Sequence, residues 1–127
     1  MEPSSAPAEF DVRTLVLLVR PVDAPDLSEE ELDRLQVEHL SYGASLAERG
    51  LTVANGPFTD QTDPALRGLS VYTVGAEEAL TLAREDPSVR AGRLRPLVVR
   101  WWTGAGRIDF PHYGRPVGER RSLADLG

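Results

Sequence analysis

The chain has 127 residues, a formal net charge of −6 and no cysteine. The length suits one domain that buries its own core, and the lack of thiols excludes disulfides, thiolate metal sites and cysteine nucleophiles. The 14 basic residues are all arginine and are outnumbered by 20 acidic residues, so lysine chemistry is excluded and a nucleic-acid partner is disfavoured.

The first residues and the hydropathy pattern bear on the cellular location of the protein. Residues 1–11 are rich in proline, serine and alanine, which predicts a disordered lead. They lack the basic start and apolar middle of a signal peptide, and no apolar run approaches the ~20 residues of a membrane span. We therefore expect a cytoplasmic protein without a membrane partner.

A strand and a capped helix come next. Residues 12–20, VRTLVLLVR, have the continuous apolar character of a central strand. Ser28 and Glu31 form a capping box that predicts a helix start, and Gly50 predicts the helix end. An apolar stripe with His39 at its middle runs between them, formed by Leu32, Leu35, Gly43, Leu46 and Ala47. We expect this stripe to be the buried face of the helix, although it contains an ionisable ring.

The remaining elements complete a recognisable order. Residues 51–58 predict a strand that ends in a Gly-Pro turn, 66–74 a third strand, 76–86 a second amphipathic helix and 95–102 a fourth strand. The order βαββαβ predicts an α+β, ferredoxin-like domain over residues 12–102. Its four-stranded antiparallel sheet would carry both helices on one face.

The face of the sheet opposite the helices must also be shielded from water. No remaining element is large enough, so we expect a homodimer in which a second copy covers that face. Residues 103–127 contain glycine, proline and arginine without clear periodicity. They predict an extension that packs on the domain or on the dimer mate.

Five segments resemble the YCII-related (YciI-like) family of the dimeric α+β barrel group. They are EHLSYGASLAERG, NGPF, RGLSVYTV, EEALTLAREDPSVRAG and VVRWW, within about residues 13–102. The resemblance implies a His-Asp pair, which falls on His39 and Asp86, with the Gly-Pro turn lining the same cleft. Some members of the family look like lyases or dehalogenating enzymes, and most have no known reaction. The resemblance therefore implies chemistry of this kind as one option for this chain.

This sequence departs from the family pattern at two places. Many relatives carry an aromatic residue after the Asp-Pro pair, where this chain has serine, and His112 in the long tail has no family counterpart. We expect a small-molecule ligand to contact six residues: Tyr42, Gly56, Pro57, Phe58, Ser88 and Arg90.

The chemistry of the pair has two interpretations. A carboxylate that accepts from one ring nitrogen of a histidine fixes the tautomer and makes the other nitrogen a general base. Alternatively, His39 and Asp86 are a buried polar pair that ties two helices together, since buried polar groups are normally paired.

Other candidate sites are weaker. Arg90 and Arg93 suit a carboxylate substrate, but surface ion pairs also explain them. Asp60 and Asp63 suit a solvated turn. His112 with the His-Asp pair is thin support for zinc, so we expect no metal and no cofactor.

Three functions from different classes remain open. The first is a small cofactor-free enzyme in which His39 moves a proton and Asp86 orients it, with lyase, isomerase or dehalogenase chemistry. The second is a binding module that holds a small ligand without turnover. The third is a structural or regulatory dimer.

Overall fold

The computed structural model describes residues 9–110. The predicted disordered lead, apart from residues 9–11, and His112 lie outside the described residues. The elements are β1 (Phe10–Val19), α1 (Glu29–Glu48), β2 (Thr52–Pro57), β3 (Leu66–Tyr72), α2 (Ala76–Arg84), α3 (Pro87–Arg90) and β4 (Arg95–Gly104). The antiparallel sheet has the order β2-β3-β1-β4, which confirms the predicted ferredoxin-like α+β fold.

Strand β1 is central because it pairs with both β3 and β4. Alternate residues of a strand point to opposite faces, and Thr14, Val16 and Leu18 point to the helical side, where they are buried. Leu46 of α1, Ala79 and Leu82 of α2, and Tyr72 of β3 join them in the core. The core therefore lies between the sheet and its helices.

Helix α1 begins as the capping residues predict. The Ser28 hydroxyl accepts from the Glu31 backbone N–H at 3.1 Å. The predicted burial of its apolar stripe is wrong in part: Leu46 is the one buried residue of this helix. Leu32, Leu35, His39 and Gly43 are half-buried and line an open cleft instead, and Ala47 is exposed.

The second predicted helix is divided in two. Helix α2 ends at Arg84, and Pro87 opens the short α3. Proline cannot continue a helix but suits the first turn of a new one. Asp86 is thus the N-cap of α3 and not part of the last turn of α2, and residues 87–90 are helical.

The sheet face away from the helices remains apolar. Leu15 and Leu17 of β1 lie opposite Val99 and Leu97 of β4 in the register. Leu97, Val99 and the neighbouring Trp101 are exposed. We call this surface, formed by Leu15, Leu17, Leu97, Val99 and Trp101, the open face. Among residues 9–110, no helix is long and apolar enough to cross a membrane.

The beginning of the predicted extension returns to β1. Strand β4 continues to Gly104, two residues beyond the predicted strand end. Arg13 Nη2 then donates to the carbonyl of Ile108 at 3.5 Å, and its guanidinium carbon lies 5.0 Å from the centroid of the Phe110 ring. The role of the full extension stays a prediction.

Candidate active site

A cleft of about 660 Å³ lies between α1 and the β2–β3 half of the sheet. One wall is the stripe of α1 that contains His39, and the other is formed by β2 and β3. Pockets of several hundred cubic ångströms with a few convergent polar groups are the usual sites for small molecules. The position of this cleft accounts for the histidine in an otherwise apolar stripe.

His39 and Asp86 are in direct contact in this cleft. Nδ1 of His39 lies 2.7 Å from Oδ2 and 2.9 Å from Oδ1 of Asp86. A carboxylate only accepts, so Nδ1 carries the proton and donates it. Nε2 of the same ring has no hydrogen-bond partner among residues 9–110, and in this tautomer it bears the lone pair.

The surroundings hold Asp86 firmly and leave His39 accessible. The Asp86 carboxylate caps α3, because Oδ1 accepts from the Ser88 backbone N–H at 2.8 Å. Its side chain is 9% exposed, whereas that of His39 is 24% exposed. A buried carboxylate that orients a partly open imidazole is the arrangement of a general base and its orienting acid.

Two tyrosines lie beside the pair. The Tyr42 hydroxyl donates to the carbonyl of Leu82 at 2.7 Å, which ties α1 to α2, and burial and the nearby Glu85 raise its pKa. Tyr72 lines the cleft, and burial, with Tyr42 and Asp86 nearby, raises its pKa to about 12. Tyr72 therefore keeps its proton at neutral pH and remains a hydrogen-bond donor.

The Gly-Pro segment lines the cleft as the end of a strand. Gly56 and Pro57 belong to β2, and the Phe58 N–H donates to the carbonyl of Arg67 at 2.9 Å. The predicted turn is thus part of the ladder, which tolerates proline because β2 is an edge strand. A Cβ at Gly68 would lie 3.0 Å from the Gly56 oxygen, so glycine there allows the close approach of the two strands.

The structure brings together most of the predicted site. Ser88 is buried and lines the cleft, as do Tyr42, Gly56, Pro57 and Phe58. Arg90 is exposed and is not among the residues that line it, because α3 turns its last residue to solvent. The predicted contact of Arg90 with a cleft ligand is therefore not supported by its position.

Sequence reasoning missed several lining residues. Arg20 and Arg67 line the cleft, and so do Tyr72 and Thr52, whose buried hydroxyl has no hydrogen-bond partner within residues 9–110. Arg20 directly follows β1 and Thr52 begins β2, and a position at the end of a strand was the signal in the sequence that could have indicated them. In the same part of the chain, no three histidine or acidic side chains gather as metal ligands.

We expect His39→Ala to destabilise the chain by less than ~1 kcal/mol. The cleft already exposes part of the ring, so water reaches Asp86 when the ring is removed, and functional residues are often neutral or costly to stability. Denaturant melts of wild type and variant with an unchanged slope measure the difference. A loss above ~3 kcal/mol is the cost of a buried acid that has lost its partner, and it would assign His39 a structural role.

Comparisons with known proteins bear on the family and the fold. The family model for the YCII-related domain matches residues 15–103. A solved structure of 5-chloro-2-hydroxyhydroquinone dehydrochlorinase from Burkholderia phenoliruptrix, in complex with 2,5-dihydroxybenzoquinone, is similar in fold, with a TM-score of 0.52 and 18% sequence identity. The match covers 70% of this chain and 92% of that one. A comparison with curated proteins returns no match. Because the family model covers most of the chain, the protein belongs to the YCII-related family.

Proposed function

We propose that the chain is a small cofactor-free enzyme that performs general acid–base chemistry on a small organic molecule. The observation that carries this proposal is the 2.7 Å contact between His39 Nδ1 and Asp86. It leaves Nε2, on the other side of a partly exposed ring, as the base. General bases of this kind contribute roughly 10²–10⁴-fold to a rate.

The proposed step is a proton transfer at the cleft. Nε2 of His39 removes a proton from an acidic O–H or C–H of the substrate, and Asp86 stabilises the imidazolium that forms. In a lyase or dehalogenase, the released electron pair forms a new double bond and the leaving group departs with its own bonding pair, for example as chloride. In an isomerase, His39 returns the proton to a different carbon.

The fold likeness supports a first choice of substrate. The similar structure is that of a dehydrochlorinase bound to 2,5-dihydroxybenzoquinone. A planar hydroxylated ring suits a cleft with apolar walls and the donor hydroxyl of Tyr72. We therefore propose planar hydroxylated aromatic compounds as the substrate class, and chlorinated hydroxyquinols as the first compounds to test.

Chloride release from 5-chloro-2-hydroxyhydroquinone tests the function. The full chain should release chloride faster than buffer alone, and His39→Gln should lose roughly 10²–10⁴-fold of that rate. Arg34→Gln, an exposed change on α1 outside the cleft, is the control and should match wild type. Turnover that His39→Gln leaves intact would contradict the proposal. A ligand-induced thermal shift without turnover of any hydroxyquinol would instead favour a binding module.

We also propose that two copies pair through the open face. Its exposed Leu97, Val99 and Trp101 are large apolar groups on a flat sheet, and such patches usually mark an interface. Two sheets packed face to face would bury on the order of 2,000 Å² or more. A second copy suits this face because it presents the same apolar surface.

Sedimentation at micromolar concentration should give twice the 13.9 kDa mass of the chain. Val99→Asp places a charge in the proposed interface and should give monomers, because a buried unpaired charge is strongly unfavourable. Val37→Asp, at an exposed position of α1 outside the cleft, is the matched control and should remain dimeric. A wild-type monomer under these conditions would contradict the dimer.

A further inference from the structure

Three arginines meet at one end of the cleft. Arg20 follows β1, Arg67 lies in β3 and Arg93 precedes β4. In the register, Val19 at the end of β1 pairs with Leu66 of β3 and with Arg95 of β4. The antiparallel sheet therefore brings these three sites together, and all three side chains line the cleft. We call Arg20, Arg67 and Arg93 the arginine cluster.

Backbone carbonyls hold the arginine cluster in place. Arg20 Nε donates to the carbonyl of Arg93 at 3.2 Å. Arg93 Nη1 donates to that of Pro25 at 2.9 Å, and Arg67 Nη1 to that of Pro64 at 3.3 Å. A guanidinium has five N–H donors, so each side chain keeps donors for a ligand.

Within residues 9–110, no carboxylate lies within 4.0 Å of these three guanidinium groups. The acidic residues that line the cleft are Asp33 and Asp86, and Asp86 is engaged by His39. Burial and then the charges of Arg93 and Arg67 lower the pKa of Arg20. Like charges that are gathered and partly desolvated are unfavourable, and an anion bound among them relieves this cost.

We propose that the substrate of this cleft carries a carboxylate, which the arginine cluster binds while the rest of the molecule reaches His39. A planar carboxylate matches the fork of a guanidinium and accepts two parallel hydrogen bonds from it. The inference rests on the proposed function for the role of His39. It narrows the proposed class of planar hydroxylated aromatic compounds to those that carry a carboxylate, and it names the residues that select them.

A matched pair of probes tests the charge directly. 2,5-Dihydroxybenzoate and 2,5-dihydroxybenzamide have nearly the same shape and differ in the charged group. Titration calorimetry with the wild-type chain should show the acid binding at least about tenfold more tightly, the effect of about 1.4 kcal/mol. The preference should shrink at high salt, because the cleft is open to screening ions. Equal affinities would overturn the proposal.

Variants assign the preference to the arginine cluster. Arg67→Gln should remove most of it, Arg67→Lys should retain part of it, and the exposed Arg34→Gln should leave it unchanged. Denaturant melts show whether each variant is folded, and the wild-type comparison of acid and amide does not depend on them. Inorganic phosphate should compete more weakly than the acid. A phosphate that binds more tightly than the acid would overturn the carboxylate assignment.

The experiments distinguish a failure of the proposed carboxylate binding from a failure of the proposed enzyme activity. His39→Gln should keep the preference for the acid although it loses proton transfer, since the arginine cluster is unchanged. Equal binding of acid and amide by a chain that turns over hydroxyquinols would overturn the carboxylate requirement and leave the proposed enzyme in place. The acid preference without any turnover would leave the arginine cluster in place and overturn the proposed enzyme.

Discussion

Asp86→Asn should lower kcat/KM by roughly 10²–10⁴-fold while the chain stays folded. Asparagine caps helices about as well as aspartate, so its oxygen keeps the 2.8 Å bond from the Ser88 N–H. Its amide nitrogen then occupies the position of Oδ2, 2.7 Å from His39 Nδ1. An amide NH₂ donates, so the shorter of the two contacts favours an accepting Nδ1 over the 2.9 Å contact with Oδ1, and the ring proton moves to Nε2. The base loses the lone pair that the proposed reaction needs.

Two measurements check this result. Nitrogen NMR of the His39 ring should show the proton on Nδ1 in wild type and on Nε2 in Asp86→Asn, and this needs no substrate. Kinetics with the chloride-releasing substrate should show the fall in kcat/KM. The variant Asp86→Ala loses the cap as well, and should be less stable than Asp86→Asn by roughly 0.5–2 kcal/mol. Full activity in Asp86→Asn would contradict the orienting role.

Leu46→Ala should destabilise the chain by about 2–5 kcal/mol. Leu46 is 4% exposed and is the one residue of α1 in the buried core, where it joins Val16 and Tyr72. Its removal leaves a cavity at the main attachment of α1 to the sheet. Urea melts monitored by circular dichroism measure the loss, which is read at constant slope.

Leu40→Ala is the matched control on the same helix. Leu40 is 41% exposed, so much of its side chain already contacts water and the change should cost less than ~1 kcal/mol. Equal losses at the two positions would contradict the view that α1 is anchored at its C-terminal end. If Leu46→Ala lowers the free energy of unfolding only slightly, the surrounding side chains have collapsed into the cavity.

Local patterns predicted the elements because each pattern has a local physical cause. The Ser28 cap and the stripe on α1 gave the long helix, and the apolar run of 12–20 gave the central strand. The Asp-Pro pair was also readable as a cap followed by a first-turn proline. We placed Asp86 in α2 because the helical periodicity extends to it, whereas the ring of Pro87 decides the boundary.

The site residues that the sequence did not predict are brought together by the pairing of strands that are distant in the chain. Arg20 and Arg67, which the sequence analysis did not single out, meet the candidate Arg93 because β1 lies between β3 and β4. No local pattern distinguishes Arg93, which lines the cleft, from the nearby Arg90, which does not. The position of His39 near Asp86 came from the family resemblance, and the same local sequence also suits a closed polar pair. Cytoplasmic location and the homodimer stay predictions.

The sparse burial of α1 links ligand binding to local unfolding. This helix has 20 residues and one buried side chain, so its N-terminal half should exchange its amide hydrogens through local opening well below the global unfolding energy. A ligand in the cleft packs against that half and closes this route. At 100 times its dissociation constant, a ligand stabilises the native state by about 2.7 kcal/mol. Hydrogen-exchange protection of α1 is thus a direct readout for finding the natural ligand in a mixture of metabolites.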